Sequence, residues 1–252
     1  MIDLTGYKIL QADNFLHDKL IISGPCSFSS YEELYDNAKA LKEMGVEYIR
    51  CGAFKPRTSP YDFQGLHADG MKIAKKIKKQ LDIKIGAEVF NIQDANKYAD
   101  VIDIIQVGSR NMYNYEFLAA LGKLNKPVML KRGLSATIKE WLSAAEYIAA
   151  NGNNKIILCE RGIRAFDNIT RNVLDLQSVV LVKNICKLPV IVDPSHAGGL
   201  KELVRPMSRA AMACGADGLM IESHINPDKS MSDANQTIDM IELQEILKDI
   251  IK

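Results

Sequence analysis

The sequence predicts an α/β fold in which strands and helices alternate along the chain, and three observations support this prediction. Eight short apolar runs rich in Val and Ile lack the alternation of apolar and polar residues that marks a sheet with one wet face. Successive runs begin 20 to 36 residues apart, which leaves room for a loop and a crossover helix. The length of 252 residues matches the usual size of a (β/α)8 barrel.

The predicted strands are regular enough to account for the whole chain. In order they cover residues 20–27, 48–54, 84–90, 104–110, 128–133, 155–162, 190–196 and 218–225. An open doubly wound sheet is the alternative architecture, but eight regular units leave no residues for a second domain. We therefore expect residues 20–252 to form one barrel and residues 1–19 to form a short N-terminal extension that plugs or covers its bottom.

The segments between the strands have helical periodicity. Apolar side chains in residues 135–151 fall on one stripe, and Thr137 and Glu140 have the spacing of a capping box at its start. Residues 31–44 predict a helix that stops at a glycine, and apolar positions within residues 238–250 predict the last helix. Each of these helices follows or precedes a predicted strand, as a βα unit requires.

The composition excludes several classes of protein. Apolar residues make up 47% and charged residues 25% of the chain, which is typical of a globular protein. The 32 basic and 31 acidic side chains nearly cancel, so we expect neither nucleic acid nor a membrane surface as a partner. The N-terminus lacks the pattern of a signal peptide, and no run approaches 18 apolar residues. Five widely spaced cysteines predict a reduced, soluble, cytoplasmic protein.

Basic residues are concentrated where the predicted strands end. In a barrel of this kind the active site is built at the C-terminal ends of the strands. Any one such residue is as readily explained as solvated surface, but together they place six cations on one rim. Guanidinium groups bind phosphate and carboxylate in a bidentate manner, so the ligand should carry several negative charges, most simply two phosphates. The six are Arg50, Lys55, Arg57, Arg110, Lys131 and Arg161.

Four residues near the ends of adjoining strands form a candidate metal site: Cys26, His196, Glu222 and Asp233. Thiolate, imidazole and carboxylate together suit a borderline first-row divalent ion better than Mg or Ca. Each residue also has an ordinary structural interpretation, because a single cysteine is most often a small buried side chain and Asp233 can cap the last helix.

The other histidines are weaker candidates for this site. His224 lies two residues beyond Glu222 and competes as a ligand, although His196 is preferred. His17 and His67 lie outside the strand ends and are interpreted as structural.

These residues resemble the 3-deoxy-D-arabino-heptulosonate 7-phosphate (DAHP) synthases, in the type I, single-barrel branch. The resemblance runs from about residue 21 to 237 and rests on nine segments in the order found in that family. They are residues 24–27 (GPCS), 50–60 (RCGAFKPRTSP), 86–88 (GAE), 108–111 (GSRN), 131–133 (KRG), 160–162 (ERG), 193–196 (DPSH), 222–224 (ESH) and 232–234 (SDA).

The resemblance implies an enzyme that condenses phosphoenolpyruvate with erythrose 4-phosphate and water, giving DAHP and phosphate in the first step of the shikimate pathway. It implies a divalent ion (Mn, Fe, Co or Zn) on Cys26, His196, Glu222 and Asp233. Arg57 and Thr58 would bind the tetrose phosphate. Phosphoenolpyruvate would be held by the remaining rim residues, which are Arg50, Lys55, Arg110, Lys131 and Arg161, and Ser109 is a further substrate-binding residue.

The catalytic groups implied in the same way are Lys131, Glu88, Cys26 and His196, with Glu88 near the reacting carbons. Lys131 and the arginines would stabilise the departing phosphate. Glu88, or water on the metal, would position the water that adds to C2.

Three other functions are compatible with parts of the pattern. The related 3-deoxy-D-manno-octulosonate 8-phosphate synthases use arabinose 5-phosphate, but their second strand ends in a Lys-Ala-Asn-Arg-Ser pattern, whereas this chain has Lys-Pro-Arg-Thr at residues 55–58. A Schiff-base aldolase would use Lys131 as its nucleophile and would leave the metal donors unexplained. A barrel that only binds metabolites or a partner enzyme would have no need for an intact set of catalytic groups.

Two expectations concern assembly and regulation. We expect a homo-oligomer, a dimer or a tetramer, and a chorismate mutase is a candidate partner. Only nineteen residues precede the first strand, fewer than the roughly 50 of an independent domain. The sequence therefore predicts an enzyme without an added regulatory domain, so that any feedback site would lie at a subunit interface.

Overall fold

The computed structural model describes residues 2–55, 59 and 61–250. Within these residues eight parallel strands form a closed barrel in chain order, and β8 pairs with β1 to close it. The strands are β1 (Leu20–Gly24), β2 (Tyr48–Cys51), β3 (Lys84–Glu88), β4 (Ile104–Val107), β5 (Val128–Lys131), β6 (Ile156–Glu160), β7 (Val190–Val192) and β8 (Gly218–Glu222). The predicted (β/α)8 barrel is confirmed, and the open sheet is excluded.

Helices surround the barrel between successive strands. They are α1 (Tyr31–Glu43), α2 (His67–Leu81), α3 (Ile92–Lys97), α4 (Tyr115–Leu121), α5 (Ile138–Ala149), α6 (Leu176–Ile185), α7 (Pro194–Gly198), α8 (Lys201–Ala213) and α9 (Met240–Ile250). The predicted capping box of α5 is present, because Thr137 Oγ1 accepts from the backbone N–H of Glu140 and Glu140 Oε2 accepts from that of Thr137. No helix in the described part of the chain is both long enough and apolar enough to cross a membrane.

The interior of the barrel has an apolar lower part and a charged upper part. Side chains of a strand alternate between its two faces, so residues two positions apart share the interior. The apolar part consists of Leu20, Ile22, Ile104, Met129, Ile157, Cys159, Ile191 and Met220. Two residues further along these strands, the same face carries Gln106, Lys131, Arg161, Asp193 and Glu222. The change from apolar to charged interior therefore locates the site at the C-terminal end of the barrel.

The N-terminal segment closes the opposite end. Phe15 and Leu16 pack against the apolar interior group. Upstream, the short 3-10 helix Lys8–Gln11 docks on α5, where Glu146 accepts hydrogen bonds from the backbone of Lys8 and Ile9 at 2.8 and 3.0 Å. Water is thus kept from the lower interior by side chains that precede the first strand.

Residues 194–198 differ from the sequence prediction. The seventh strand was predicted to run to residue 196, but β7 stops at Val192 and the short helix α7 follows. Asp193 caps this helix by accepting from the backbone N–H of His196 at 2.9 Å, and Pro194 occupies the first helical position, where its missing N–H costs nothing. His196 is therefore presented by a helical turn rather than by a strand.

Arg132 points away from the interior, because it follows the inward-facing Lys131. Its NH1 group donates to Glu160 at 3.0 Å and to Asp175 at 2.8 Å, and its Nε donates to the carbonyl of Ala136 at 3.0 Å. Asp175 is the N-cap of α6, so one buried guanidinium joins β5, β6 and the start of that helix. This contact anchors both ends of the loop between β6 and α6, residues 161–175.

We expect Arg132→Ala to lower the free energy of unfolding by about 3–5 kcal/mol, because Glu160 would be left buried without its charged partner. Urea denaturation measures the loss. Lys72→Ala, which breaks the exposed pair with Asp69, is the control and should leave the free energy of unfolding nearly unchanged. Similar losses in the two variants would contradict a structural role for Arg132.

Candidate active site

A polar cavity of about 360 Å³ opens at the C-terminal ends of the strands. Among the described residues, the strands and the loops that follow them supply its cations. These are Arg50, Lys55, Arg110, Lys131, Arg161, Arg164 and Arg171. Because the whole chain is nearly neutral, this concentration is a local feature and indicates an anionic ligand.

Cys26, His196, Glu222 and Asp233 meet at one side of this cavity. One ligand atom from each lies within 4.8 Å of the others. Cys26 Sγ is 3.2 Å from Asp233 Oδ2 and 3.9 Å from His196 Nε2, and His196 Nε2 is 3.1 Å from Glu222 Oε1. We call these four residues the donor cluster.

Three cations of the cavity, Arg50, Lys55 and Arg171, contact the donor cluster directly, and the first two make the shorter contacts. Arg50 donates to Glu222 Oε1 at 2.5 Å and to Cys26 Sγ at 3.4 Å. Lys55 Nζ contacts Cys26 Sγ and lies 3.2 Å from Asp233 Oδ2. Burial raises the pKa of the Cys26 thiol to about 12, and the charges of Arg50 and Lys55 oppose that effect. The donor cluster and the anion-binding cavity are therefore one electrostatic unit.

His196 is oriented as a metal-binding imidazole. Burial lowers the pKa of His196 to about 4, so the ring is neutral at physiological pH. Its Nδ1 lies 2.7 Å from Asp193 Oδ2, and a neutral ring that donates from Nδ1 turns the Nε2 lone pair toward the cluster. A carboxylate behind the histidine is the usual support of such a ligand. With one sulfur, one nitrogen and two carboxylates, the donor cluster fits a borderline divalent ion.

Asp193 also binds Lys131, whose Nζ lies 2.6 Å from Asp193 Oδ2. Burial alone would raise the pKa of Asp193, but His196 and Lys131 outweigh it and hold that pKa well below its ordinary value. The carboxylate is therefore charged and fully buried, and it links the donor cluster to the substrate cavity.

Arg161 lines the cavity and has a buried N–H donor without a hydrogen-bond partner among the described residues. Its NH2 group donates to the carbonyl of His196 at 3.2 Å, while its NH1 is the buried side-chain N or O atom that has no hydrogen-bond partner in the described part of the protein. Burial lowers the pKa of this guanidinium. A buried donor without a partner is costly, and an anionic oxygen in the cavity would satisfy it.

Glu88 is a carboxylate of the cavity lining that does not belong to the donor cluster. Gln106 Nε2 donates to Glu88 Oε2 at 3.2 Å. Burial raises the pKa of Glu88, and Lys131 is the largest opposing influence. Gly108 leaves just enough space for this carboxylate, since a Cβ there would lie 1.9 Å from Glu88 Oε1.

Of the other residues predicted from the sequence, some line the cavity and some lie away from it. Ser109 and Arg110 line the cavity, and Arg57 and Thr58 lie outside the described residues. His224 turns to α1, where its Nε2 lies 3.3 Å from Glu33 Oε1, so it does not join the donor cluster. His17 and His67 are exposed and lie apart from the cavity lining.

Sequence reasoning assigned no site role to several residues: Arg164, Arg171 and Asn172 from the loop after β6, Gln106 beside Glu88, Asp193 behind His196, and Gln236 beside the donor cluster. The length of that loop, from Glu160 to Leu176, was the available signal, because long loops at this end of a barrel tend to be functional.

A closed (β/α)8 barrel with a polycationic cavity beside a mixed S, N and O donor cluster defines an enzyme that acts on phosphorylated metabolites. Comparison with known proteins specifies the family. The profile of the DAHP synthetase I family matches residues 15–252, and the chain belongs to that family.

Individual relatives agree with this assignment. The chain is 47% identical over 232 residues to phospho-2-dehydro-3-deoxyheptonate aldolase of Thermotoga maritima, covering 92% of this chain and 69% of that protein. It is 30% identical over 246 residues to 2-dehydro-3-deoxyphosphooctonate aldolase of Francisella tularensis subsp. holarctica, covering 90% and 88%. A crystal structure of the Thermotoga maritima DAHP synthase superposes with a TM-score of 0.92 at 41% identity, covering 98% of this chain and 76% of that one.

Because Gly108 leaves no space for a Cβ beside Glu88, a side chain at this position should slow DAHP formation. Gly108→Ala should displace the Glu88 carboxylate, and misplacing a group by about 1 Å can lower turnover by about 100-fold. Steady-state kinetics of DAHP formation measures the loss. In a Glu88→Ala background the same change should cost little more, because its target is gone. Full additivity of the two losses would refute this explanation.

Proposed function

We propose that this chain condenses phosphoenolpyruvate with erythrose 4-phosphate and water to form DAHP and phosphate, with a divalent metal ion in the donor cluster. The observation that carries the proposal is the shared wall of the two sites: Arg50 and Lys55 contact the donor cluster and also line the cationic cavity. Family membership and the 47% identical heptonate relative support it.

The cavity residues account for binding of the enol phosphate. Arg161 offers its unpartnered NH1, and Arg110 lies exposed at the same wall, so both guanidinium groups can receive phosphate oxygens. Lys131 lines the same cavity from the end of β5, and its charge opposes the rise in the pKa of Glu88. We assign phosphoenolpyruvate to this part of the cavity, together with Arg50, Lys55 and Ser109, and the tetrose phosphate to Arg57 and Thr58.

The donor cluster would hold Mn, Fe, Co or Zn. When bound there, such an ion supplies Lewis-acid polarisation of the aldehyde oxygen. The residues of the chain prepare that position, because Asp193 orients His196 and Gln236 donates to Glu222 Oε2 at 2.5 Å.

Glu88 and Lys131 are suited to the steps that follow formation of the C–C bond. The raised pKa of Glu88 makes its ionised carboxylate a stronger base, so the carboxylate can accept a proton from the water that adds at C2. Lys131, paired with Asp193, is placed to stabilise the charge on phosphate as the C–O bond breaks. The same contact disfavours the Schiff-base aldolase, because Asp193 Oδ2 already engages the Lys131 Nζ that would have to attack the carbonyl.

The proposal also covers the cellular compartment and the oligomeric state of the protein. The cysteines are free thiols, as is usual in a reducing compartment, which supports a cytoplasmic protein. A homo-oligomer and a chorismate mutase partner stay predictions.

The choice of aldehyde is tested by phosphate release from phosphoenolpyruvate. We expect erythrose 4-phosphate to support release at least about tenfold faster, as kcat/KM, than arabinose 5-phosphate, because a pocket built for the shorter chain discriminates through lost contacts. Faster release with the pentose phosphate would assign the chain to the function of its octonate relatives.

The metal is tested by chelation. Dialysis against a chelator should abolish activity, and Mn, Fe, Co and Zn should restore it to different extents, because a mixed donor set does not select one ion by affinity alone. Cys26→Ser should weaken metal binding sharply, since a hydroxyl replaces the thiolate. Cys214→Ser, on the partly exposed end of α8, is the matched control and should bind metal normally. Full turnover with metal confirmed absent would exclude the proposed role.

A further inference from the structure

Arg171 and Asn172, consecutive residues of the loop between β6 and α6, contact the two segments that carry His196 and Asp233. We propose that they are positioning residues, which hold His196 and Asp233 at the separation that a shared divalent ion requires. The inference rests on the proposed metal site and adds a function to residues outside the donor cluster.

The contacts to the His196 side come mainly from Asn172. Its Nδ2 donates to the carbonyl of His196 at 3.1 Å, and its backbone N–H donates to that of Ala197 at 2.9 Å. The backbone N–H of Arg171 adds a bond to Gly198 at 3.0 Å. Asn172 is buried, so these hydrogen bonds are shielded from water and bind the loop to the helical turn that presents His196.

The contacts to the Asp233 side come from the Arg171 guanidinium. Its NH1 donates to Asp233 Oδ1 at 3.3 Å and to Gln236 Oε1 at 3.0 Å. Gln236 in turn donates to Glu222 Oε2 at 2.5 Å. One side chain therefore reaches Asp233 directly and Glu222 through a buried amide.

Asp233 needs such support because of its backbone. Its φ of 59° and ψ of 29° lie in the left-handed region, which a non-glycine residue occupies at some cost. Thr237 Oγ1 holds the Asp233 carbonyl at 3.0 Å, and Arg171 holds one carboxylate oxygen. The position of this donor is thus set by one contact within its own segment and one from the loop between β6 and α6.

The loops also meet too closely to move independently. At Gly199, where φ is +73°, a Cβ would lie 2.7 Å from Cβ of Arg171. The chain after α7 therefore passes directly beneath the Arg171 side chain, and a displacement of one loop would be transmitted to the other.

Positioning and simple electrostatics predict opposite effects at Arg171. A guanidinium near a cation site repels the cation, so removing its charge would tighten binding if Coulomb interaction were all that mattered. If Arg171 holds the donors in place, the same change weakens binding. The sign of the change therefore separates the two.

The test measures metal affinity by competition of Co²⁺ or Zn²⁺ with a chromophoric chelator. Arg171→Met should weaken binding by about 10–100-fold, as expected for loss of a residue that supports metal ligands, and Arg171→Lys should recover part of the loss. Arg164→Met is the matched control, because Arg164 lies on the same loop and lines the same cavity but lies outside the contacts just described. The Arg164→Met protein should bind Co²⁺ or Zn²⁺ as tightly as the unmodified protein, or more tightly.

Asn172→Asp provides a second variant of nearly identical shape. It adds negative charge, which alone would tighten binding, but it turns the donor to His196 into an acceptor and should also weaken binding by about tenfold. In the Co²⁺ proteins, the thiolate-to-cobalt charge-transfer band reports whether Cys26 still ligates, and thermal unfolding reports whether each variant is folded.

Unchanged or tighter affinity in both Arg171→Met and Asn172→Asp would overturn the positioning role while leaving the metal site intact. Failure of the unmodified protein to bind either ion would instead overturn the proposed metal site, and this inference with it. Weakened affinity in both variants, with the control unaffected, supports the positioning role even if catalytic activity has other requirements.

Discussion

The site depends on one buried carboxylate, that of Asp193. It accepts from Lys131 Nζ at 2.6 Å, from His196 Nδ1 at 2.7 Å and from the His196 backbone at 2.9 Å. A buried charge is stable only when it is paired and hydrogen-bonded, so these three contacts are mutually required. Through these contacts Asp193, the N-cap residue of α7, sets the tautomer of His196 and the position of Lys131. It also joins the donor cluster to the substrate cavity.

Pairing of opposite charges explains how so many ionic groups share a small space. Arg50 lies against Glu222, Lys55 against Asp233, and Lys131 against Asp193. Each pair offsets part of the desolvation of its members, and three of the cations, Arg50, Lys55 and Arg171, contact the donor cluster and also line the cavity. Binding of a dication to the cluster and of anions to the cavity would therefore be electrostatically coupled.

The rigid barrel and its loops contribute differently to function. The same architecture serves relatives named for heptonate and octonate products, at 47% and 30% identity respectively, so the fold alone does not select the aldehyde. Selection belongs to loops at the C-terminal ends of the strands, where residues vary without disturbing the core. The loop between β6 and α6 is anchored by Arg132 at its base and supplies Arg161, Arg164, Arg171 and Asn172 to the cavity.

The sequence by itself determined the barrel and most of the site, because both depend on local periodicity. Apolar runs separated by helical segments predict parallel strands, and parallel strands end on one rim, which brought Cys26 and Glu222 together although they are far apart in the chain. Only the tertiary structure showed the helical turn that presents His196, the rotation of His224 toward Glu33, and the contact of Arg171 with Asp233 across 62 residues. Contacts between loops depend on the path each backbone takes above the barrel, and no repeating pattern in the sequence encodes that path.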